Sequence, residues 1–126
     1  MLFSITRSTA WLKRDSAQVR VLFDQGTPVP LRRLLAGHQI VTAYEQGWSA
    51  LKNGDLLNLA EVDGFEAIVT TDQNLRYQQD LPRRRLAILV LMTTDWHRIR
   101  PRALYVAEAL SGLSPGDYVE LPFPPP

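Results

Sequence analysis

The 126-residue chain has no cysteine. That excludes a disulfide framework, a thiolate zinc site and a cysteine nucleophile, and it accords with a reducing, cytoplasmic setting. Histidine is scarce as well, with two in the whole chain, and no histidine-rich zinc motif is present. No apolar run reaches the roughly 20 residues that a membrane helix needs. The longest, residues 86–92, is only strand length, and no membrane association is expected. Phosphate-binding P-loops, GxGxxG turns and GxSxG elbows are missing too. What is there is globular: 45% of residues are hydrophobic and 21% charged, with a formal net charge of +1. One domain with one core is the expectation for this length.

The small net charge conceals an uneven distribution. Residues 73–102 carry seven arginines against Asp80 and Asp95, whereas residues 1–72 carry seven basic and eight acidic residues. An acidic set upstream of an arginine-rich stretch is what a metal site beside a phosphate-binding surface would show. A solvated basic face is the plainer alternative.

Residues 1–18 follow no period and lack the apolar core and cleavage site of a secretory leader, so they are read as an N-terminal extension. Residues 19–23 then form an apolar strand that delivers Asp24 at its carboxyl end. Thr27 is expected to cap a helix with Pro28 in its first position, an apolar face of Leu31, Leu34 and Leu35, and a stop at Gly37. Residues 39–43 read as a second strand and 44–52 as an ordered loop. Asn53 is the expected cap of a helix running to about residue 62. A third strand, 67–70, ends in Thr71-Asp72-Gln73-Asn74, and a short helix is expected from there to Leu81. Residues 86–92 are apolar nearly throughout, as befits a strand covered on both faces. Asp95-Trp96-His97-Arg98 reads as a loop, 101–110 as a helix and 118–121 as an edge strand. The domain is taken as residues 19–121, with 122–126 as a loose proline-rich tail. Strands alternating with helices predict an α/β fold: three α/β/α layers around a small, mainly parallel sheet.

In such sheets ligands bind beyond the carboxyl ends of the strands. Asp24 and Asp72 each follow an apolar strand, so they are candidates for the same edge, and Asp55 can approach from the first turn of the intervening helix. Carboxylates brought together repel unless a cation neutralises them, and oxygen-only ligation suits Mg²⁺ or Mn²⁺. A metal so held polarises a phosphoryl oxygen and activates water. Each acid has a structural alternative: an Asx-turn for Asp24, a helix cap for Asp72, a helix-dipole contact for Asp55. Glu45 is either a further ligand or a solvated loop carboxylate; Glu61 and Asp63 read as surface charges and His38 as structural. Arg76, Tyr77, Asn74 and Lys52 are candidates for gripping substrate. Arg83, Arg84 and Arg85 share with Arg76 and Tyr77 the mixture of cations and aromatics that binds single-stranded RNA.

With these residues laid out, the chain resembles the PIN-like domains of small bacterial proteins, a branch of the PIN nuclease superfamily. The resemblance rests on Val21-Leu22-Phe23-Asp24 before a proline-containing helix start, Gly37-His38, Asn53-Gly54-Asp55-Leu56-Leu57, and Val69-Thr70-Thr71-Asp72-Gln73-Asn74-Leu75. It implies strand order 3-2-1-4-5 and a Mg²⁺- or Mn²⁺-dependent ribonuclease with Asp24, Asp55 and Asp72 as catalytic metal ligands. It further implies an antitoxin encoded alongside and, often, a homodimer. Gln25 stands where many members carry a second acid, and Asp95 is the nearest candidate for a fourth. These departures keep a non-catalytic RNA- or protein-binding module as the alternative.

Overall fold

A computed structural model describes residues 19–35, 37–75 and 84–124. Five strands form one sheet: β1 (Arg20–Phe23), β2 (Gln39–Thr42), β3 (Ala67–Thr70), β4 (Ala87–Leu91) and β5 (Tyr118–Leu121). All neighbours pair in parallel. Between them run α1 (Leu31–Leu34), α2 (Asn53–Val62), α3 (Trp96–Ile99) and α4 (Ala103–Ser111), with a 3₁₀ turn at Arg100–Arg102 joining the last two.

Alternation along the strands creates two apolar layers. Val21, Phe23, Val69, Leu89 and Leu91 face Leu31 and Leu35 around α1, Ile99 of α3, and Val106 and Leu110 of α4. Leu22, Ile68, Ile88 and Val90 face the opposite way, against Leu56, Leu57 and Ala60 of α2 and the ring of Phe65. Every residue of β3 and β4 is buried, which explains why those strands are written almost without polar residues. The expected three-layer α/β/α class is the one observed.

The sheet order is β2-β1-β3-β4-β5, not the 3-2-1-4-5 that the resemblance implied. Between β2 and β3 the chain has one helix and no further strand, so among the described residues no strand lies outside β2. After α2 the chain crosses back and pairs β3 with the free side of β1, in register Leu22↔Ile68 and Phe23↔Val69. The fifth strand is added at the far edge, beside β4.

Several local expectations change. Thr27 caps no helix: its hydroxyl donates to the Val69 carbonyl at 2.8 Å, so it ties the turn after β1 to β3. The segment from Pro28 opens instead with i→i+3 bonds, Leu31 N–H to Pro28 O and Arg32 N–H to Val29 O, and Leu34 is exposed. Lys52, not Asn53, occupies the cap position of α2. Asp95 caps α3, a helix where a loop was expected, by accepting from the His97 N–H at 2.9 Å. Phe123, assigned to the tail, is buried and meets Tyr105 edge-on. The extension at 1–18 and the segment 76–83, with Arg76, Tyr77 and most of the short helix expected there, lie outside the described residues.

Candidate functional site at the carboxyl edge of the sheet

The strand order decides where a site can form. The connection leaving β1 passes to the layer of α1, since Leu31 and Leu35 pack there. Past β3, Leu75 is buried in the opposite layer, as is Leu86 just before β4. Neighbouring strands whose exits diverge leave a crevice at their carboxyl ends, the usual ligand position in open α/β sheets. Asp24 and Asp72 stand at those two exits.

The two are linked by Thr70. Its hydroxyl, on a side chain that is 1% exposed, donates to Asp24 Oδ2 and accepts from the Asp72 N–H at 3.1 Å. The Asp24 N–H continues the ladder to Val69 O at 3.0 Å. The turn behind Asp24 also lies close to Thr71: a Cβ on Gly26 would sit 2.8 Å from the Thr71 hydroxyl oxygen. A side chain at position 26 would oblige the Thr71 side chain to shift.

Each carboxylate also serves its own loop. Asp24 Oδ1 accepts from the Gln25 N–H, and Asp72 Oδ1 accepts from the Asn74 N–H at 3.0 Å, an Asx-turn. These bonds orient the two carboxylates on their loops. Asp55 is exposed in the first turn of α2, placed to meet the positive end of the helix. Lys52 and Asn74 are exposed. Among the described residues, no group of three or more acids or histidines is close enough to hold a metal ion. The structure thus joins Asp24 to Asp72 through Thr70 and does not gather Asp55 with them.

A pocket of about 360 Å³ opens on the other side of Asp24, lined by Asp24, Gln25, Val29, Arg32, Tyr44 and Glu45 among others. Its wall is a single helical turn after β2, closed at both ends. Thr42 and Glu45 form a reciprocal capping box: Thr42 Oγ1 accepts from the Glu45 N–H at 3.1 Å, and Glu45 Oε1 accepts from the Thr42 N–H at 2.9 Å. At the far end Gly47, with φ of 79°, lets its own N–H reach Tyr44 O and the Trp48 N–H reach Ala43 O, a Schellman closure. Arg32 of α1 donates to the same Glu45 oxygen at 2.8 Å. The guanidinium, helped by the Thr42 N–H, lowers the Glu45 pKa to about 2, and Glu45 in turn raises that of Arg32. The Thr-x-x-Glu spacing is the signal that reading 44–52 as a plain loop passed over; Arg32 carried none, because its partner lies across two elements.

Other candidates have structural partners. Glu61, expected as a surface charge, accepts from the backbone N–H groups of Arg85 and Leu86 at 2.7 and 3.1 Å and pairs with Arg84 at 3.1 Å. Arg84 also donates to Asn58, so this arginine is tied to α2 and is not held out to solvent. Asp95 is occupied as a helix cap. His38 accepts from the Val19 N–H at 3.2 Å, and burial lowers its pKa, the structural role expected of it. Among the described residues no helix is long and apolar enough to cross a membrane. Comparison of the chain with protein-family models, with curated proteins and with solved structures gives no match.

Proposed function

We propose that the crevice between the ends of β1 and β3 holds a divalent cation, and that the chain hydrolyses RNA phosphodiesters there in the manner of the PIN nucleases it resembles. The observation that carries this reading is the placement of Asp24 and Asp72 at the divergent exits of two adjacent parallel strands, joined through Thr70. Oxygen donors of this kind fit Mg²⁺ or Mn²⁺. Mg²⁺ is commonly held by one or two carboxylates, with water and substrate phosphate completing its shell, so a pair of acids suffices for capture. When bound, the ion would polarise the phosphoryl oxygen and lower the pKa of a coordinated water. Asp55 is assigned a supporting role in this reading, and Lys52, Asn74, Arg76 and Tyr77 are assigned to grip substrate. A cytoplasmic location, a cognate antitoxin and a homodimer belong to the same reading.

Calorimetric titration of Mn²⁺ into the wild type and an Asp24→Asn, Asp72→Asn double variant tests it. Saturable binding that disappears in the variant, together with Mn²⁺-dependent cleavage of single-stranded RNA, is the expected result. A folded wild type that binds no Mn²⁺ would overturn it.

One observation favours a second reading, a non-catalytic RNA- or protein-binding module. Both aspartates accept bonds from neighbouring backbone N–H groups, and Asp55 stands apart from them. That reading predicts RNA binding without turnover, insensitive to added metal.

A further inference from the structure

The pocket beside Asp24 has a chemistry of its own, distinct from phosphate capture. Two carboxylates, Asp24 and Glu45, line it against one guanidinium. Part of that guanidinium is taken: Arg32 donates through Nη1 to Glu45 Oε1 and to the Ile40 carbonyl. An anion entering here would meet a net negative wall. A group rich in N–H donors would meet acceptors.

Glu45 is held for such a role. Its Oε1 takes the bonds from Arg32 and Thr42. Oε2 takes neither, and the low pKa keeps the group ionised throughout the neutral range. Beside it Tyr44 is 75% exposed and lines the same pocket. An aromatic ring left in water next to a fixed acceptor is the pairing by which proteins bind a single unstacked base, stacking its face and reading its edge. Val29, 50% exposed on the α1 side, adds an apolar wall. The volume is within the range of small-ligand sites.

We propose that this pocket is a nucleobase subsite that prefers guanine. The Watson–Crick edge of guanine presents two adjacent N–H donors, N1–H and the 2-amino group, to a carboxylate. The corresponding edges of adenine, cytosine and uracil set an acceptor beside each donor, which a carboxylate repels. The proposal rests on the RNA reading above and deepens it: a guanine seated against Tyr44 and Glu45 leaves its own nucleotide's backbone next to Asp24, so the nuclease would cut beside guanosine.

The test uses the full chain without metal. The four nucleosides, which carry no phosphate for Asp24 to repel, are titrated by NMR and calorimetry into wild type, Tyr44→Ala, Glu45→Gln and Asp72→Asn. Guanosine should bind best. Tyr44→Ala should weaken it about tenfold or more, the scale of removing one base–aromatic stack. Glu45→Gln keeps an oxygen for the Thr42 N–H but offers an amide in place of the second carboxylate oxygen, so the guanine preference should vanish while melting curves still show a folded domain. Asp72→Asn should bind the nucleoside as wild type does, which separates this subsite from the cation site even where no cleavage is found. Equal affinity for all four nucleosides, an unchanged preference in Glu45→Gln, or displacement of the nucleoside by inorganic phosphate would each overturn the proposal.

Discussion

Thr70, the last residue of β3, and Asp24, just past the neighbouring β1, lie 46 residues apart in sequence and share a hydrogen bond in which the threonine hydroxyl donates to the carboxylate. The same hydroxyl receives the N–H of Asp72, so one buried group fixes both acids that leave the central strands. Replacing it with valine keeps the shape and removes both bonds. Thr70→Val is expected to cost about 1–2 kcal/mol, as orphaned polar groups do, measurable by urea unfolding. If a cation is held there, Mn²⁺ affinity should fall about 10- to 100-fold, the usual effect of removing a group that orients a ligand.

The turn after β2 depends on Gly47, whose φ of 79° places it in the left-handed region. No heavy atom lies within 4 Å of a Cβ built there, so a substitution meets backbone strain and no clash. Gly47→Ala should lower stability by roughly 1–2 kcal/mol, read as a drop in the thermal midpoint. The pocket should loosen with it, since Tyr44 and Glu45 sit on that turn.

His38 gives the fold a pH dependence of predictable sign. Burial lowers its pKa below the ordinary 6.5, and its Nδ1 accepts from Val19 only when unprotonated. The unfolded chain therefore takes up the proton at higher pH than the folded one. The stabilisation is complete above 6.5 and is lost as pH falls from there toward the folded value. Urea unfolding at about pH 8 and about pH 5.5 should show it, and His38→Gln should flatten the difference. Glu45, with its folded pKa also depressed, adds stability that is present above 4.5 and is lost as pH falls toward 2.

Glu61 holds the entry to β4. Glu61→Ala would leave the N–H groups of Arg85 and Leu86 without their acceptor and the half-buried Arg84 without its counter-charge. A loss on the order of 2–3 kcal/mol is expected, as for hydrogen bonds to a charged group. Amide exchange should report it first at the start of β4.

Arg98, Arg100 and Arg102 lie on the α3 and 3₁₀ segments just past the carboxyl end of β4, on the edge where the site is proposed. Changing all three to glutamate should weaken single-stranded RNA binding. The slope of log affinity against log salt should also flatten by up to about 2, at roughly 0.7 for each phosphate that is no longer neutralised. An unchanged slope would place the RNA path elsewhere.

The sequence by itself determined the layers and the acids at their edge. The apolar runs at 19–23, 67–70 and 86–92 read as strands, the last of them covered on both faces, and Asp24 and Asp72 follow directly from where two of them stop. These are local properties, set by side-chain period and by turn residues. The Thr42–Glu45 capping box is equally local, a four-residue motif. What the tertiary structure decided was which strand lies beside which. Whether β3 pairs with β1 or with β2 depends on how a crossover packs, and no period in the chain records it. The link from Thr70 to Asp24, the grip of Arg32 on Glu45 and the role of Glu61 under β4 all follow from that choice. Each joins groups that only the pairing of distant strands, and the burial it brings, can place within a hydrogen bond of one another.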